Sequence, residues 1–65
     1  MPKFPEVTVN LNGVTSPFTV VARTITAMRE AGIPEESVVQ YADAATFGDF
    51  EHVLTATRAT VTTKE

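Results

Sequence analysis

Two short segments of period two stand near opposite ends of the sequence, and everything between them has the period of a helix. No other feature constrains the fold as much. In residues 6–11, Val7, Val9 and Leu11 alternate with Glu6, Thr8 and Asn10, as in a strand with one buried face, and Pro5 just before them suits the start of a strand. From Arg58 the period is two again. Ala59, Val61 and Thr63 alternate with Thr60 and Thr62 in a threonine-rich run suited to a strand. Two short strands are not stable alone. They are expected to pair with each other across the length of the chain and to lie on the helices between them. The expected fold is α+β: a small β-α-α-α-β domain, two terminal strands paired and packed on three helices, with the relative direction of the strands left open.

Proline and glycine punctuate the helical part. Asn12-Gly13 breaks the first strand, and too few residues follow before Pro17 for a hairpin return, so a turn into a helix is expected. Ser16-Pro17 reads as a helix start: a hydroxyl cap, then proline at the first helical position, where its missing N–H costs nothing. The helix runs to about Ala31, and Gly32 supplies a left-handed stop. Phe18, Val21, Ala22, Ile25 and Met28 form its apolar stripe, and Thr19, Arg23, Thr26 and Glu30 form a narrow polar strip. A third strip, Val20, Thr24, Ala27 and Ala31, is small and weakly apolar. Either the rest of the domain covers that strip or a second subunit does. In the second case Val20, Thr24 and Ala27 are candidate contact residues.

Pro34 begins a second helix. Glu35 and Glu36 stand in its first turn, where the helix dipole favours them, and Val38, Tyr41, Ala42 and Ala45 form its apolar face. Gly48 is expected to end it. Asp49 then caps a short third helix carrying Phe50, Val53 and Leu54. The expected core is Val9, Leu11, Phe18, Val21, Ile25, Met28, Val38, Tyr41, Val53, Leu54 and Val61.

The chain has 65 residues, enough for one domain, residues 1–65 with an ordered core of about 6–63 and no linker, repeat or low-complexity segment. A domain of this size buries only about 60% of the surface its unfolded chain exposes. Small domains are usually reinforced by disulfides, a metal or a partner. The absence of cysteine removes disulfides and thiolate metal sites, and a single histidine, His52, leaves little for zinc. Association is the reinforcement still open, with a second copy or with another protein. A hydrophobic content of 43% and a charged content of 20% are globular values. No apolar run approaches the ~18 residues of a membrane span, and residues 1–5 contain no apolar stretch that could act as a signal peptide. A soluble, cytoplasmic protein with no membrane contact is expected.

Charge distribution bears on partners. The net charge is −3, and no lysine or arginine occurs between Arg29 and Arg58, whereas that stretch carries Glu30, Glu35, Glu36, Asp43, Asp49 and Glu51. A phosphate backbone would be repelled by it. Residues 27–41 do fit a helix-turn-helix template, with Ala27, Ala31, Ile33, Val38 and Tyr41 at its buried positions and Gly32 at the turn. A recognition helix, however, needs basic or amide side chains toward base edges and phosphates. This one offers Glu35, Glu36, Ser37, Gln40 and Asp43. The chemistry argues against nucleic acid.

The segment from Ala31 to Val38, then Tyr41, Ala45 and Gly48-Asp49-Phe50-Glu51-His52-Val53-Leu54, resembles a group of small bacterial and phage-encoded proteins. In that group a strand and a helix precede an A-G-V…E-E-I…G-D-Y-D-H-L-L pattern, and a terminal strand follows. The similarity covers roughly residues 6–63 and is most specific at the Gly-Asp-aromatic-x-His-x-Leu piece. It departs at Thr60, where the group has an aromatic. The resemblance implies the same fold and a bacterial or phage origin, and it implies no activity. Residues 31–54 are also similar, in helix spacing alone, to ubiquitin-associated-type three-helix modules, which lack the flanking strands.

His52 stands with Asp49 and Glu51, but a metal site needs three or four converging ligands, and a general base needs a nucleophile or cleft beside it. The expected role of His52 is local, its ring bonding back to the Asp49 cap or packing beside Phe50. The hydroxyls are mostly threonines in regular structure, without a nucleophile elbow or glycine cradle. No catalytic, cofactor-binding or metal residues are expected. The sequence therefore points to a small non-enzymatic protein-interaction domain of bacterial or phage type, possible as a homodimer. Its candidate surfaces are the acidic face of helix two (Glu35, Glu36, Gln40, Asp43), the Val20-Thr24-Ala27 strip, and an open edge of the sheet. The alternative is a helix-turn-helix-like nucleic-acid-associated regulator, which a basic patch built from Lys3, Arg23, Arg29, Arg58 and Lys64 would favour.

Overall fold

The structure, a computed structural model, describes residues 2–46 and 49–64. The element order is β1 (Phe4–Asn10), α1 (Pro17–Glu30), α2 (Glu35–Ala45), α3 (Phe50–Thr60) and β2 (Val61–Lys64). The two terminal strands pair, as their need for each other required, and they run parallel. Parallel neighbours need a long crossover, and the three helices supply it.

The pairing is irregular at its start. Phe4 lies opposite Val61, but the next partners are Thr8 and Thr62, so β1 bulges between them. Pro5 lies within that bulge rather than ahead of the strand. It has no N–H to give to a ladder, and the Thr62 hydroxyl donates to its carbonyl at 2.8 Å. At the other end Leu11 has left the strand, yet its N–H still bonds the Lys64 carbonyl at 2.7 Å. Asn12-Gly13 then makes a turn and no hairpin. Val14 N–H returns to the Leu11 carbonyl at 3.1 Å, Gly13 takes φ 76, and the Asn10 side chain accepts from Asn12 N–H at 2.8 Å.

The helix ends follow from local chemistry. Pro17 stands at the first helical position, although the Ser16 side chain makes no capping bond. Gly32 at φ 81 closes α1: its N–H bonds the Arg29 carbonyl at 3.1 Å, and Ile33 N–H bonds the Met28 carbonyl at 3.0 Å. This pair of bonds is a Schellman motif. Pro34 precedes α2 as its N-cap rather than opening it. Asp49 caps α3 through its Oδ1, which accepts from His52 N–H at 3.0 Å. The expected stop at Gly48 lies outside the described residues.

The strand expected from Arg58 begins only at Val61, because α3 continues through Thr60. The threonines explain the difference. Thr55, Thr57 and Thr60 each donate a hydroxyl hydrogen bond to the carbonyl four residues back, at 2.9, 2.8 and 2.9 Å. Their polar groups are thus satisfied inside a helix, and β propensity yields to packing.

The core is built from Val7, Val9, Leu11, Val20, Met28, Val38, Tyr41, Ala45, Val53 and Val61. On α1 it differs from the expectation. Val20, Thr24 and Met28 are fully buried, Val21 and Ile25 only partly, and Phe18 is 83% exposed. The helix is rotated about its axis by roughly one residue, ~100°, from the orientation that would bury the apolar stripe. Leu54 on α3 is likewise only partly buried. α1 packs against β1, α2 and α3, and Val20 and Thr24 of the small strip, with Met28, are the part of it that goes inside. Thr24 adds no unsatisfied group, since its hydroxyl bonds the Val20 carbonyl at 2.8 Å.

Candidate functional site

The expected contact residues separate into two groups. Val20 and Thr24 have no exposed surface, and Ala27 is half-buried, so this strip is core and not an interface of a folded copy. Of the two readings left open for this strip, the burial of Val20 and Thr24 supports cover by the domain's own packing. Glu35, Glu36, Gln40 and Asp43 are all exposed on α2. With Val39, which is 50% exposed, they occupy a continuous arc of about 140° around the helix. Glu35 is held by Arg29 at 2.6 Å in an exposed ion pair, a contact of the kind worth about 0.2–1 kcal/mol.

The sheet edges differ from one another. Asn10 points its carbonyl out of β1, away from β2, and the Arg23 guanidinium donates to it at 3.0 Å. Arg23 thus closes part of the outer edge of β1, and Pro5 interrupts the rest. The outer edge of β2 spans only four residues. An extended partner strand gains little at either edge.

His52 does not bond Asp49 through its ring. Its Nε2 lies 3.0 Å from the Ala44 carbonyl, joining α3 to the end of α2, while its backbone N–H takes the cap. Among the described residues no three metal-binding side chains converge. No described helix is long and apolar enough to cross a membrane.

The cations are divided. Arg23 and Lys64 meet near Asn10, the one bonding its carbonyl and the other opposite it in the sheet. Arg58 lines a hollow of about 250 Å³ with Leu11, Gly13, Val14 and Phe50, just beyond the end of β1. Lys3 lies toward the other end of that strand, in a hollow shared with Ser37, Gln40 and Tyr41 of α2. Six strand steps from Phe4 to Asn10 span about 20 Å. The arc of α2 that a groove-reading helix would present carries no lysine or arginine of its own.

The feature that sequence reasoning missed is a consequence of the rotation of α1. Turning the apolar stripe away from the core leaves Phe18, Val21, Ala22 and Ile25 along one wall of a groove of about 360 Å³. Pro17 at the start of α1, Ala45 and Thr46 at the α2 end, and Val53 of α3 complete the described lining, none of which is charged. Phe18 stands on the first turn of α1 at the edge of this groove. Periodicity alone signalled the stripe but could not show that it faces outward. Compared with known protein families, with curated proteins and with solved structures, the chain matches none of them.

Proposed function

We propose that the chain is a small non-enzymatic protein-interaction module, of bacterial or phage type, whose contact surface is the uncharged groove along α1. The observation that carries this reading is Phe18, 83% exposed beside a groove whose described lining residues are all uncharged. A large aromatic in water forgoes about 1.5–3 kcal/mol that burial would return. Phenylalanine is enriched at the centres of protein interfaces for that reason. The acidic arc of α2, which includes Val39, sets the sign of charge that a neighbour at the flank would need.

The experiment is a photo-crosslinking amino acid placed at position 18, with Thr55 as an exposed control site on α3, expressed in cells that naturally carry the chain. Discrete polypeptide adducts at position 18 and not at 55 support the reading. Adducts no more frequent at 18 than at 55 overturn it.

The gathering of Arg23, Arg58 and Lys64 at the end of β1 favours a second reading, a nucleic-acid-associated regulator. It is the weaker of the two. Phosphate binding gains from counterion release around cations, whereas the helix a duplex would have to accept presents Glu35, Glu36 and Asp43.

A further inference from the structure

We draw no further inference here: the strongest candidate, the uncharged groove of about 360 Å³ beside the exposed Phe18 on α1, carries nothing further, because it belongs to the contact surface already described and nothing in the structure shows what covers it.

Discussion

Replacing Tyr41 by phenylalanine and Thr57 by valine, singly and together, probes the polar contact buried deepest in this chain. Tyr41 is 3% exposed and Thr57 not at all, and their hydroxyl oxygens lie 2.7 Å apart. Thr57 has one hydroxyl proton, and it donates that proton to the Val53 carbonyl at 2.8 Å. Tyr41 must therefore be the donor in the pair. The two single substitutions are then unequal. Tyr41→Phe removes a donor but leaves the Thr57 hydroxyl bonded to Val53, so the loss is that of one hydrogen bond, about 0.5–1.5 kcal/mol. Thr57→Val keeps the shape of the side chain and leaves the Tyr41 hydroxyl buried without a partner, which costs about 1–3 kcal/mol. The Val53 carbonyl retains its helical N–H partner in either case. The double variant removes both polar groups and should lie close to Tyr41→Phe alone, giving a coupling as large as the whole Thr57→Val loss, about 1–3 kcal/mol. In a domain of this size 1 kcal/mol moves the melting temperature by about 4–8 °C, so urea and thermal unfolding resolve the differences. If Thr57→Val costs no more than Tyr41→Phe, or the two losses simply add, the donor assignment is wrong.

Met28→Ala should cost about 2–5 kcal/mol and leave little folded protein, because Met28 is fully buried; Ile25→Ala, on the half-buried flank of α1, should cost clearly less in the same urea titration. Asp49→Ala removes the only side-chain cap bond formed at a described helix start and should lower stability by about 1 kcal/mol, read as a lower melting temperature with the α2 amides unshifted. A duplex DNA titration followed by amide shifts should give no saturable change on α2; weak shifts near Arg23, Arg58 and Lys64 that vanish with added salt would be non-specific, and localised shifts on residues 35–43 that survive moderate salt would favour the regulator reading.

Much of the fold was legible because local rules and global need agreed. Period two at both ends, the turn at Asn12-Gly13, the stop at Gly32 and the cap at Asp49 each act within a few residues, and each acts in the structure as the sequence implied. The strand direction was not legible, because pairing partners are set by alternation and direction by the crossover. The end of α3 was not legible either. A threonine-rich run fits a strand surface, and only the bonds to carbonyls four residues back show it satisfied in a helix.

The failure at α1 is of another kind. Its sequence contains two arcs that could face inward: one large and apolar through Phe18, Val21 and Ile25, one small through Val20 and Thr24. A hydrophobicity pattern ranks the first above the second. Burial reverses the ranking: Val20 and Thr24 have no exposed surface, while Phe18 is 83% exposed and Val21 and Ile25 are partly buried. Thr24 looks polar in sequence yet enters the core without cost, its hydroxyl being satisfied by its own helix. Once that arc is inside, Phe18 lies exposed at the edge of the groove. Replacing it with a polar residue would not disturb the core. A chain whose local choices served folding alone would carry a polar residue there. The disagreement between pattern and burial is largest on the face that lines the groove, with Leu54 on α3 a smaller instance, and such disagreements are met most often at functional or strained sites.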